Sequence, residues 1–89
     1  MREELATASD RLESAAEDAS SDDARDRLTD LAGQLDTLAT RERDPDHGRL
    51  ARIESALDEV QSEESDAVAA AIEDALDDIH AFRETIEGV

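Results

Sequence analysis

Ala24-Arg25-Asp26-Arg27-Leu28-Thr29-Asp30-Leu31-Ala32-Gly33-Gln34-Leu35-Asp36-Thr37-Leu38-Ala39 is the stretch that decides how this chain folds. Leu28, Leu31, Leu35 and Leu38 recur at spacings of three and four, with Ala24, Ala32 and Ala39 widening the stripe and polar residues between them. A helix turns about 100° per residue, so this spacing gathers the apolar side chains on one face; a strand would need strict alternation. Gly33 is the anomaly. In a helix interior it costs about 1 kcal/mol relative to alanine, and it predicts a close crossing with a neighbouring helix.

The same period continues on both sides. Upstream, Leu5, Ala8, Leu12, Ala15 and Ala19 form one helix face. Between the two stripes, Ser20-Ser21-Asp22-Asp23 offers hydroxyl and carboxylate acceptors for the free amides of a new helix, with negative charge at the positive end of its dipole. Downstream, the pattern breaks at Arg43-Asp44-Pro45-Asp46-His47-Gly48, which holds the only proline and one of the three glycines. Asp44 as cap and Pro45 as first helical residue is a natural restart, with a start about a turn later as the alternative. A third stripe follows at Leu50, Ile53, Leu57 and Val60, and a fourth at Val68, Ile72, Ala75, Ile79, Phe82 and Ile86, with Gly88 as its stop.

These stripes predict helices over about 2–19, 22–41, 45–61 and 65–87 in a single domain, 1–89. Their lengths match at about 25 to 33 Å for ~1.5 Å per residue. The fold class is all-α: an antiparallel four-helix bundle made of two helical hairpins joined by the Pro/Gly loop. No segment alternates with the period of a strand.

Composition adds habitat and size. All nine basic residues are arginine, against 26 Asp and Glu, for a net charge of -17 and a pI of about 4.1. A surface with no lysine and many carboxylates holds water against competing ions, which points to a cytoplasmic protein of cells that keep molar salt inside. Leu, Ile, Val and Phe make up 17 of the 89 residues, and with this charge that is a disorder signature in dilute buffer. Salt removes the objection, because the Debye length falls from about 10 Å at 0.1 M to roughly 3 Å at 1 M. Alanine, sixteen in all, lines much of the inner faces and buries little area, so the chain is expected to complete its stability as a homodimer through an exposed edge of the bundle, with a salt-stabilised monomer as the alternative.

Several function classes are set aside. There is no cysteine, hence no disulfide, thiolate metal site or cysteine nucleophile. The longest apolar run, Ala67 to Ile72, is too short for a membrane span, and Met1-Arg2-Glu3-Glu4 has no apolar stretch behind it to make an ordinary secretory signal. Scattered arginines among so many acids make no basic surface for nucleic acid. Serines and threonines fall at caps and polar faces, with no glycine-rich elbow or phosphate loop.

Two kinds of candidate remain. His80 follows Asp77 by three residues, a loose echo of the Glu-x-x-His of di-iron bundles, but with the wrong acid, a single copy and a place off the core seam. Asp74-x-x-Asp77 has the spacing of magnesium-holding pairs, yet with 26 acids in 89 positions such pairs arise by chance. Arg41, Arg43, Arg49 and Arg52 are the only local concentration of positive charge, around the central loop with His47 beside Asp44 and Asp46. His47, Arg49 and Arg52 are therefore the interaction candidates, as a docking spot for an acidic partner or a nucleotide. No catalytic, cofactor or metal residue is assigned.

Through Pro45-Asp46-His47-Gly48-Arg49-Leu50-Ala51-Arg52 and the helix from Ala71-Ile72 to Phe82-Arg83, the chain resembles a family of short acidic proteins from halophilic archaea described only as a domain of unknown function. The resemblance implies a small helical protein of archaeal halophiles with no assigned activity, and it carries no site residues. The expected function is a non-enzymatic protein-protein interaction or self-association module, contacting itself or an unidentified protein through exposed parts of the alanine-rich seams. A metal-dependent or nucleotide-binding enzyme using carboxylates near His80 or His47 is the alternative.

Overall fold

A computed structural model describes residues 3–40 and 47–87. Among them are four helices and no strand: α1 (Glu3–Glu17), α2 (Asp22–Thr40), α3 (His47–Glu63) and α4 (Asp66–Glu87). α1 stops two residues short of Ala19 because its last turn tightens, with Asp18 N–H bonding to the Ala15 carbonyl at 3.0 Å and Ala19 N–H to that of Ala16 at 3.2 Å. α2 is capped as its sequence predicts: the Ser21 hydroxyl oxygen accepts from Ala24 N–H at 3.1 Å. Ser65 repeats the device for α4, accepting from Val68 N–H at 3.4 Å. α3 begins at His47; the expected cap Asp44, the expected first residue Pro45 and the stop Gly88 lie outside the described residues.

Each helix neighbours the one before and after it, and α1 also neighbours α4, while the diagonal pairs do not meet. The order around the bundle is thus α1, α2, α3, α4. Short turns make each hairpin antiparallel, and a bond between the turns places both at one end: Ser20 N–H lies 3.1 Å from each Glu64 carboxylate oxygen, and the Ser20 hydroxyl donates to Oε2 at 3.0 Å. The result is a rod of 39 × 19 × 18 Å.

The predicted stripes are the core. Within residues 3–40 and 47–85, every Leu, Ile and Val, and Phe82, is buried. Burying one such side chain contributes about 1.5–3 kcal/mol, so the periodic placement rescues a composition that would otherwise leave the chain unfolded. The alanines expected on the inner faces are found there: Ala8, Ala15, Ala16 and Ala75 are buried, and Ala19 and Ala71 pack partly buried against the core. They let α1 lie close to α2 and α4, so the seams are closed inside the monomer. Ser9, the buried polar residue of this seam, donates its hydroxyl to the Ala32 carbonyl at 2.8 Å.

Gly33 is also corrected. It is exposed, and a Cβ built on it would meet nothing within 4 Å, so no helix crosses there. The close approach sits one residue earlier, at Ala32. α3 behaves differently from α1: its inward residues are Leu50, Ile53, Leu57 and Val60, and it meets α2 less closely than α1 does. The stand-off leaves a groove along the α2–α3 face.

Candidate functional site

α3 carries two polar flanks, and each serves a different neighbour. His47, Glu54 and Gln61 recur every seven residues, which keeps them on one side of the helix, toward α4. All three bond to α4. Arg83 donates from Nε to His47 Nδ1 at 3.2 Å and from Nη1 to Glu54 Oε1 at 2.5 Å. His80 Nε2 lies 2.9 Å from Glu54 Oε2, close enough for an ion pair when the imidazole is charged, although that oxygen is buried and has no aligned hydrogen bond. Gln61 Nε2 donates to the Ala69 carbonyl and to Glu73 Oε1, both at 3.0 Å. This flank is a clamp.

The placement changes the reading of both histidines. His47 is the first residue of α3 and half-buried against Arg83; its expected loop neighbours Asp44 and Asp46 are outside the described residues. His80 is exposed as expected, but its carboxylate partner is Glu54 of α3 rather than Asp77. A cation would need the Glu54 carboxylate, and the Arg83 guanidinium already holds it. No group of three or more His, Asp or Glu with metal-binding placement occurs among the described residues. Neither apolar period nor local charge singles out Glu54 or Arg83; for Glu54 the signal in the sequence is the polar heptad His47, Glu54, Gln61.

The second flank faces α2. Arg49, Arg52 and Ala56 follow one another at spacings of three and four and line a cleft of about 460 Å³ with Arg27, Asp30, Leu31 and Gln34 of α2. The floor is apolar, from Leu31, Ile53 and Ala56, and the rim carries three arginines against one acid. That acid, Asp30, accepts a hydrogen bond from Gln34 Nε2 at 2.9 Å. Such a ratio is unusual in a chain with nearly three acids per arginine. Arg49 and Arg52 thus share a site, which Arg27 joins from α2. His47, grouped with them in sequence, belongs to the clamp. Arg41 and Arg43 lie outside the described residues.

Toward the hairpin turns the groove changes sign. Asp23, Asp26, Glu63 and Glu64 line its continuation, a cleft of about 530 Å³ that shares Arg27 with the first. Arg27 marks the boundary, with Nη1 3.8 Å from Glu59 Oε1. Glu64 is engaged in the turn contact. Burial opposes its ionisation, but bonds from the Ser20 N–H, the Ser20 hydroxyl and the Ser65 N–H outweigh it and hold the carboxyl below the ordinary glutamate value. On the opposite side of the bundle, Arg11 of α1 is taken up by α4, with Nε 2.8 Å from Asp78 Oδ2 and Nη1 3.9 Å from Asp74 Oδ2.

Residues 1–85 match the Family of unknown function (DUF7553). The chain belongs to this family. For this DUF7553 member, the match spans all of α1, α2 and α3 and most of α4, so both flanks of α3 lie inside it. No curated protein and no solved structure matches the chain. Among the described residues, no helix is long and apolar enough to cross a membrane.

Proposed function

We propose that this DUF7553 protein is a non-enzymatic protein-protein interaction or self-association module that works in the salt-rich cytoplasm of a halophilic archaeon, with the α2–α3 face as its contact surface. One observation carries the reading. Within residues 3–40 and 47–85 the large apolar side chains are buried in the monomer's own core, whereas the α2–α3 groove sets Arg27, Arg49 and Arg52 around an apolar floor. A partner is therefore met by charge, with the floor adding apolar area at the centre. Guanidinium groups suit carboxylates because their planar donors match both oxygens, so an acidic protein surface is the complementary ligand.

The metal-dependent or nucleotide-binding alternative has less support. The described core holds no acid, and the one half-buried carboxylate beside histidine is bonded to Arg83.

Affinity capture at molar salt tests the proposal, with the wild-type chain and R49E/R52E as parallel baits. The expected result is that proteins recovered by the wild type, the chain itself included, are lost by the variant while its helical circular dichroism is kept. Equal recovery by both baits would place the contact elsewhere.

A further inference from the structure

The α2–α3 face is charged in two halves. At the loop end, α3 presents Arg49 and Arg52; at the turn end, α2 presents Asp26 and α3 presents Glu63. Arg52 and Glu63 are eleven residues apart, about 16 Å along the helix axis. Between the halves lie Ala56 and Arg27, the latter already matched to Glu59. A face that is positive at one end and negative at the other complements a copy of itself turned end for end.

We infer that the occupant of this face is a second copy of the chain, docked antiparallel about a two-fold axis near Ala56, so that Arg49 and Arg52 of each protomer meet Asp26 and Glu63 of the other. The inference rests on the reading of this face as the contact surface and names its partner. A two-fold interface requires the same patch on both subunits to be self-complementary, and this arrangement of signs meets that condition. A parallel dimer would set arginine against arginine and acid against acid. The net charge of -17 opposes association at long range, but at about 1 M salt the Debye length is roughly 3 Å, so contacts between touching groups persist while the general repulsion is screened.

Charge reversal at each end gives the test. R49E/R52E reverses the charge that α3 presents at the loop end, and D26R/E63R sets two arginines among the acids of the turn end. The wild type and both variants are measured by light scattering in molar KCl, alone and mixed in equal amounts, with circular dichroism to check helicity. The wild type is expected as a dimer, each variant alone as a monomer, and the mixture as a dimer, since both ends again meet opposite charge. The D26R/E63R result is pointed, because that variant is closer to neutral and general repulsion alone would make it associate more. Dimerisation of D26R/E63R by itself would overturn the inference. A mixture that stays monomeric would overturn the antiparallel arrangement, and a monomeric wild type would overturn self-docking. In either case, loss of captured proteins by the R49E/R52E bait would leave the face standing as a contact for another protein. A variant that loses helicity is replaced by the single substitution R52E or E63R and read in the same way.

Discussion

The Ser9 hydroxyl on α1 donates across 2.8 Å to the carbonyl oxygen of Ala32 on α2, inside the seam where the small residues let these helices approach. A larger residue cannot fit where the backbone itself is the neighbour. Ser9→Ala should cost about 1 kcal/mol, the net worth of one hydrogen bond. Ser9→Leu should cost more, about 1–3 kcal/mol, from overpacking. Urea unfolding in molar salt measures both, and a Ser9→Leu variant as stable as wild type would mean that the seam opens.

Glu64 ties the two hairpin turns together, and its carboxyl is held below the ordinary glutamate value of 4.5. A folded-state value below the unfolded one adds stability that is fully present above the unfolded value and is lost as pH falls through the folded one. Wild type and Glu64→Gln should therefore differ in stability at neutral pH and converge on acidification below the ordinary glutamate value. Paired melting curves across that range are the check; a gap that widens toward acid would reverse the sign.

Glu54 joins α3 to α4 through Arg83 and His80. Glu54→Ala should cost about 1.5–3 kcal/mol, as expected for hydrogen bonds to charged groups. For a domain of this size, each 1 kcal/mol moves the melting temperature by about 4–8 °C. His80→Ala should cost about 1 kcal/mol or less, because that histidine is exposed. Equal losses in the two variants would make His80, rather than Arg83, the main partner.

Apolar residues announced the fold because burial acts at fixed helical spacing: Leu28, Leu31, Leu35 and Leu38 had only one face on which to meet. The Ser21 cap was equally legible, since its oxygen acts on an amide three residues away. Gly33 misled because a glycine records freedom of the backbone, which a solvent-facing helix position leaves unused. The alanine seam was legible as well: Ala8, Ala15 and Ala19 fall in register with Leu5 and Leu12, and that shared face is the one that is buried or partly buried. Arg49 and Arg52 were singled out by charge, yet Arg27 could join them only once α3 was set against α2. Glu54 was hidden by abundance, one carboxylate among 26, and only the partner across the helix distinguishes it.

Proposed life in molar salt has its own consequence for the fold. The chain should hold its helicity near 1 M KCl, where the Debye length is roughly 3 Å, and lose much of it near 0.1 M, where repulsion reaches about 10 Å. Far-ultraviolet circular dichroism through a salt titration follows this, and unchanged helicity in low salt would contradict it.

The central claim is that copies meet through the α2–α3 face near Ala56. The chain has no cysteine, so one introduced thiol reports on one place. Ala56→Cys lies where the two-fold axis is expected, and Thr7→Cys on the exposed side of α1 serves as control. Under mild oxidation in molar KCl, Ala56→Cys should give a disulfide-linked dimer on a non-reducing gel, and Thr7→Cys should stay monomeric. Cross-linking of Thr7→Cys as fast as Ala56→Cys, or none at Ala56→Cys, would contradict the account.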